Sequence, residues 1–356
     1  MKTLHFYKDK PLFGFDIGHG SLKVMQLETS GNATKILGYG TTQFDIGAID
    51  NGVIVDPKAI ATVMRALFKD HLIGEINTRR IAMALPTYRT FSRSIRLPKL
   101  GDKELMEAIN LEVEQYIPVA LQELYLDYTV TGQTEDGGME LFVVAVPKAI
   151  VDSYLTLARM MGLETVLIEP TMASCTRLFT KDENSDIPSV IIDFGSLTAD
   201  ISIFDKTELA IGTVPAGGLV FTEAISKRLN LSIEEAGQLK TKYGLDVSPQ
   251  QKQVASALEP ALQKLVTEIR RMIRYYDDRY KAKRQVGQVV ILGGGANMPG
   301  LGNYLTNALK IPVRTHNHPW ALFSHEGVQP PAPADRLMYV TVAGLALLDP
   351  KEVFHP

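Results

Sequence analysis

Three short apolar runs, each stopping at a glycine-bearing turn, punctuate this chain. The segments at 13–17 (FGFDI), 190–194 (VIIDF) and 289–292 (VVIL) are too short for helices and read as buried strands. The turns that follow are Gly18-His19-Gly20-Ser21, Gly195-Ser196-Leu197-Thr198 and Gly293-Gly294-Gly295. After the first two, a strand-like alternation resumes over 22–27 and 199–204. The stretches 13–27 and 190–204 therefore read as the same strand–turn–strand unit used twice, an internal duplication.

Elsewhere the period lengthens to that of a helix. Asp56 and Pro57 open a predicted helix over 57–69, as cap and first helical residue. A buried strand is predicted at 81–85. From 87 to 165 the character changes. An Arg-punctuated strand stops at Pro98, and Asp102 caps a helix whose apolar positions are Leu105, Met106, Ile109, Val113 and Ile117. Strands at 124–130 and 140–146 flank a turn at Gly137-Gly138, and a helix over 147–161 ends at Gly162. This is a compact α+β unit of the kind that can be inserted in a larger domain. Further helices are predicted at 170–179, 219–229, 232–242, 254–284 and 336–348, with 315–335 mostly loop.

At 356 residues, about two domains are expected. A net charge of -3 gives no nucleic-acid footprint, and the basic stretch 264–284, interrupted by Glu268, Asp277 and Asp278, reads as a solvated helix face. The single cysteine, Cys175, allows no intramolecular disulfide and suits a reducing compartment, as a small buried hydrophobe. No apolar run is long enough to span a membrane, and the N-terminus lacks a secretory signal's apolar stretch. His316 and His318 lack the company of a metal site and read as loop surface.

The chemistry of the three turns is that of phosphate and nucleoside binding. Glycine lets backbone N–H groups approach phosphate oxygens closely. In the first turn Gly18, Gly20 and Ser21 supply the cradle, Lys23 a charge for a phosphate, and Asp16 a carboxylate for a hydrated Mg²⁺. In the second, Asp193, Gly195, Thr198 and Asp200 repeat the arrangement. Gly293 and Gly294 would lie flat against a nucleoside, with Asn297 over the base. Glu169, just before the second unit, is a candidate to position an attacking water, and Asp193 a candidate to face the metal's water.

The order of these motifs resembles the actin, sugar kinase and Hsp70 ATPase superfamily. Asp16 to Lys23 is similar to its first phosphate motif, Glu169-Pro170-Thr171-Met172-Ala173 to its first connecting motif, and Asp193 to Asp200 to its second phosphate motif. Gly217-Gly218 stands at its double glycine, and Val340 to Leu348, with Gly344, resembles its second connecting motif. Lys240 stands where the superfamily's nucleoside-contacting Lys stands. The inserted unit is similar to that of the FtsA-like branch, and the stretch from Glu114 to Tyr128 (EQYIPVALQELYLDY) resembles the PilM family of type IV pilus assembly.

The resemblance implies an α/β fold of the actin-like ATPase type: two duplicated RNase H-like domains around a nucleotide cleft, with an FtsA-type inserted α+β subdomain. It divides the chain into subdomain 1A (1–86, 167–186 and 332–356), an inserted SHS2-type subdomain 1C (87–166), subdomain 2A (187–220 and 285–331) and subdomain 2B (221–284). It implies bound ATP and Mg²⁺ with at most weak ATPase activity. It implies a cytoplasmic protein held at the inner face of the membrane by partners, the N-terminal cytoplasmic peptide of PilN in a PilN/PilO platform. The branch includes monomers, rings and filaments, so a homo-oligomer is compatible. Two departures, Leu197 in the second turn and Gly237 where many relatives carry a ribose-side Glu, point to reduced nucleotide affinity. The alternatives are the actin-like part of a type II secretion platform, which normally continues into a membrane span, and a small-molecule kinase, whose substrate site no further polar cluster marks.

Overall fold

The computed structural model describes residues 10–31, 33–134, 137–280 and 284–349. The first apolar run forms β1 (Phe13–Ile17), fully buried, followed by β2 (Ser21–Ser30) and β3 (Ala33–Gln43) in an antiparallel meander. A hairpin of β4 (Ile49–Asp50) and β5 (Val53–Ile54) leads to α1 (Pro57–Ala66). Asp56 caps α1 by accepting from the Ala59 N–H, with Pro57 at the first helical position. This helix stops short of 69 because the chain widens into a π turn at Leu67–His71. β6 (Ile73–Gly74) pairs with β3, and β7 (Arg80–Leu85) runs parallel to β1.

The inserted unit comprises β8 (Phe91–Leu97), α2 (Asp102–Glu114), β9 (Leu124–Gln133) and β10 (Met139–Pro147). Leu105, Ile109, Val113 and Ile117 pack on Ile95, Leu141 and Val143 to make a core of its own. Two details differ from the pattern. Met106, at 38% exposure, falls outside the buried stripe, and the cap is Gly101, whose N–H donates to the Glu104 carboxylate at 3.4 Å. The helix after the insert, α3 (Lys148–Met160), was expected inside the unit. Its buried residues Ile150, Tyr154, Leu157 and Ala158 instead join the core of the first sheet, so the self-contained part ends at β10.

β11 (Glu164–Pro170) runs parallel to β7, and α4 (Thr171–Phe179) follows. The second unit opens with β12 (Ser189–Phe194), β13 (Ala199–Asp205) and β14 (Thr207–Val214), again an antiparallel meander. Then come α5 (Gly218–Leu229), α6 (Ile233–Lys242) and α7 (Gln251–Tyr280), which runs on through Pro260. β15 (Gln288–Leu292) and β16 (Val313–Thr315) enclose α8 (Leu301–Leu309). The Pro-rich stretch, expected as loop, contains the short α9 (Pro319–Leu322). The closing helix starts as a 3-10 segment, Pro333–Tyr339, before α10 (Val340–Ala346). α10 is buried along its whole length, as its near-absence of charge requires.

The strand orders make the duplication explicit. One sheet runs β11-β7-β1-β2-β3-β6, the other β16-β15-β12-β13-β14-β8-β10-β9. Each contains a three-strand meander flanked by two parallel strands at its leading edge. The second sheet continues into the insert. Ala210 of β14 bridges Arg93 of β8, and Ser94 Oγ donates to the Leu209 carbonyl at 2.9 Å. Glu140 of β10 pairs with Arg279 of α7 at 3.0 Å. The insert thus leaves the first half in sequence and hydrogen-bonds to the second in space.

Candidate functional site

The two duplicated hairpins turn identically. The Gly18 N–H donates to the Ser21 carbonyl at 2.8 Å, and the Gly195 N–H to the Thr198 carbonyl at 2.9 Å. Both turns line one cavity of about 500 Å³ between the two sheets, with Gly293, Gly294 and Gly295 on a further wall. Gly293 has φ +81, and a Cβ there would stand 2.3 Å from Asp193 Oδ1, so only glycine lets the third turn reach the second strand's end. A Cβ on Gly217 would stand 2.4 Å from the Leu197 carbonyl carbon, which explains the first residue of the double glycine.

The register of the hairpins sets the electrostatics. Asp16 pairs with Lys23 across the first hairpin, and their side chains meet at 3.0 Å while both are buried. The equivalent partners in the second hairpin are Asp193 and Asp200, two carboxylates. Burial, then Asp200 and Asp16, push the Asp193 carboxyl up to about 7 against the pull of Lys23. Burial pushes Asp200 up to about 6, while hydrogen bonds from Thr213 (2.7 Å) and Thr198 oppose the rise. Such a pair is stabilised by a cation in the cleft, and hard carboxylate oxygens suit Mg²⁺. Among the described residues no three His, Cys, Asp or Glu side chains converge tightly enough to hold a metal directly. The residues fit an ion carried with phosphate oxygens and its own waters, faced by Asp16 and Asp193.

Of the residues singled out in the sequence, Asp16, Gly18, Ser21, Lys23, Asp193, Gly195, Thr198, Asp200, Gly218, Lys240, Gly293, Gly294 and Asn297 all line the cavity. Lys240 reaches back from α6, its ammonium donating to the Gly218 carbonyl (2.6 Å) and to Thr222 Oγ1 (2.8 Å), and burial lowers its pKa. Asn297 lies in the wall, with its amide donating to the Ala334 carbonyl at 2.7 Å. Gly20 lies behind the first turn, where its carbonyl accepts from the Phe44 N–H at 3.1 Å.

Gly217 and Gly218 have a structural job, and Gly218 also lines the cavity. The N–H groups of Gly217, Gly218 and Leu219 donate to the carbonyls of Leu197, Gly195 and Ser196 at 3.1, 2.9 and 2.8 Å. The double glycine docks α5 onto the second turn and presents no free N–H to a ligand. Glu169 is elsewhere. Arg177 grips both its oxygens at 2.6 Å and donates to the Gly344 carbonyl at 3.1 Å, tying β11, α4 and α10 together. Glu169 is not among the residues that line the cavity, and Arg177 occupies both of its oxygens.

Sequence reasoning missed Tyr88, Tyr154, Thr171 and Thr341, all in the wall. Tyr154 occupies an apolar stripe position of α3, four residues after Ile150, so its spacing reads as core. The hydroxyl on a core position was the available signal.

A family model described as type IV pilus assembly protein PilM matches residues 14–349. The cell division protein FtsA of Enterococcus faecalis is 24% identical over 348 residues, covering 86% of this chain and 78% of that protein. FtsA of Neisseria meningitidis is 27% identical over 152 residues, 40% of this chain and 36% of that one. Among solved structures, a chain of a PilM-PilN type IV pilus biogenesis complex matches with a TM-score of 0.79 at 24% identity, over 95% of this chain and 98% of that one. The ethanolamine utilization protein EutJ of Carboxydothermus hydrogenoformans gives a TM-score of 0.55 at 15% identity, over 97% and 93%. MreB 5 of Spiroplasma citri bound to AMPPNP gives 0.53 at 14%, over 94% of each chain. At these identities the structures establish the fold, that of actin-like ATPases.

Proposed function

The chain belongs to the family of type IV pilus assembly protein PilM, and from that premise we propose that it is the ATP-binding scaffold of a type IV pilus inner-membrane platform. In this reading Mg·ATP lies in the cleft, and the N-terminal cytoplasmic peptide of PilN docks beside the inserted unit. The observation that carries the nucleotide half is the pair of matched turns, Gly18 to Ser21 and Gly195 to Thr198, facing one cavity beside buried Asp16, Asp193 and Asp200. Phosphates carried with Mg²⁺ supply the charge balance that this carboxylate group calls for. The fold shared with a nucleotide-bound MreB 5 supports the same assignment.

The partner half rests on the family and on the likeness to a chain from a PilM-PilN complex. Among the described residues no helix is long and apolar enough to cross a membrane, so membrane placement is assigned to that partner. A peptide in a groove is a familiar recognition mode. The reading is one of binding rather than turnover, because Glu169 does not line the cavity and Arg177 occupies both of its oxygens. ATP would then act by biasing the angle between the halves and, through it, the insert that both halves hold.

Titration calorimetry with Mg·ATP, and anisotropy of a labelled PilN N-terminal peptide, test the two halves separately. Wild-type protein should bind both, and Asp193→Ala should lose the nucleotide while remaining folded. Unchanged ATP affinity in Asp193→Ala would sink the cleft assignment, and no peptide binding by wild type would sink the partner assignment.

A further inference from the structure

Tyr154 is 1% exposed, yet among the described residues its hydroxyl makes no hydrogen bond. The side chain stands in the cleft wall. Buried tyrosine hydroxyls normally find a partner, so one that points into a cavity marks where a ligand's acceptor belongs. Its surroundings say which acceptor. Tyr154 belongs to the same packed cluster as Ile17 and Leu22, which flank the first phosphate turn, and it lines the cavity with Asp16 and Lys23, themselves bonded to each other. Gly293 to Gly295, where a nucleoside would lie, line the cavity from the second half, whereas the phenol is packed with the first phosphate turn.

The same helix reaches the inserted unit. Two residues before Tyr154, Asp152 Oδ1 accepts from the Tyr125 hydroxyl of β9 at 3.1 Å, and Lys148 lies 5.4 Å from the Tyr125 ring centroid. β10 runs directly into α3 at Lys148, so the helix is also the insert's covalent exit. About two turns of one helix therefore join the cleft to the outermost strand of the second sheet.

We propose that the Tyr154 hydroxyl is a terminal-phosphate contact that distinguishes a nucleoside triphosphate from a diphosphate, and that α3 passes this difference to β9. The inference rests on the nucleotide reading above. A phenol donating to a phosphate oxygen makes a charge-assisted hydrogen bond that a diphosphate, lacking the outer group, cannot accept. A tie at Asp152 to Tyr125 would then make exchange in β9 depend on which nucleotide is bound.

The test is Tyr154→Phe, which keeps the buried ring and removes only the oxygen. Mg·AMPPNP and Mg·ADP affinities are measured for both proteins, with hydrogen exchange of 124–133 under each nucleotide. Expected is a loss of about tenfold in AMPPNP affinity, with ADP affinity within about twofold, and a difference in β9 exchange between the nucleotides that the variant abolishes. The melting temperature without nucleotide should hold or rise, since no intramolecular bond is lost; a purely structural tyrosine would lower it. Equal losses for both nucleotides, no loss for either, or β9 exchange indifferent to nucleotide in wild type overturns the inference. Wild-type protein that binds neither nucleotide instead overturns the reading on which it rests.

Discussion

Asp193 and Asp200 are register partners across the second hairpin, the places that Asp16 and Lys23 hold in the first. The hairpin geometry occurs twice, but a cation stands at this position on one side only. The second half therefore carries a buried like-charge pair, with carboxyls pushed up to about 7 and about 6. Such a pair destabilises the empty fold whenever both groups are ionised. Asp200→Asn should stabilise the nucleotide-free protein by about 1–3 kcal/mol near pH 8 and weaken its stabilisation by Mg·ATP. Thermal melts with and without Mg·ATP check both signs, and a lower melting point for the empty variant would contradict the account.

Gly293 and Gly294 are adjacent but should behave oppositely. A side chain at Gly293 meets both a left-handed φ of +81 and the Asp193 carboxylate, whereas a Cβ at Gly294 meets nothing within 4 Å. Gly293→Ala should cost about 1–3 kcal/mol of stability. Gly294→Val should leave denaturant midpoints nearly unchanged while reducing nucleotide affinity, because its side chain would occupy the cavity. Urea titrations and calorimetry on the two variants separate the effects.

Much of this was legible in the residues. The three apolar runs, the duplicated turns and the Asp56 cap follow from period and turn chemistry, which act locally. The rest is tertiary. Nothing in Glu169-Pro170-Thr171 shows that Arg177, two turns of chain later, grips the carboxylate. Spacing cannot show that helix 148–160 packs with the first sheet rather than with the insert it follows, because its apolar stripe suits either surface. Tyr154 was invisible because a stripe position does not say whether the hydroxyl at its tip meets protein or cavity.

His316 makes stability fall with acid. Burial, opposed by the Asn317 carbonyl and Asp182 and aided by Arg314, lowers its pKa to about 4 from 6.5. Between those values the unfolded chain binds the proton and the folded ring does not, so stability rises with pH across that window. The contribution is fully present above about 6.5 and is lost as pH falls toward 4, an effect on the order of 3 kcal/mol. His316→Leu should flatten this part of the pH–stability curve measured by denaturant unfolding at pH 7, 6, 5 and 4.5. A wild-type curve already flat over that range would refute the assignment.

The insert's hold on the second half should be measurable as a coupling. Glu140 pairs with Arg279 at 3.0 Å, both side chains being about four-fifths buried or more, and Arg96 approaches the same oxygen at 3.3 Å. A double-mutant cycle with Glu140→Ala and Arg279→Ala should give about 1–2 kcal/mol of interaction. Hydrogen exchange should rise in 91–97 and 139–147 while the first sheet stays protected. Additive single effects would mean that β14 alone carries the junction.

Partner docking separates surface from scaffold within the stretch that resembles the PilM family. Ile117 and Leu124 are each 5% exposed and belong to the insert's core, whereas Tyr125 is 45% exposed and Asp127 is exposed. Ile117→Ala should cost about 2–5 kcal/mol and lower binding only by unfolding the unit. Tyr125→Ala and Asp127→Ala should leave the melting temperature nearly unchanged yet weaken retention of the PilN N-terminal peptide, Tyr125 through lost area and Asp127 through lost charge. Anisotropy titrations run beside melts decide the matter. Wild-type peptide affinity in both surface variants would move the docking site off β9.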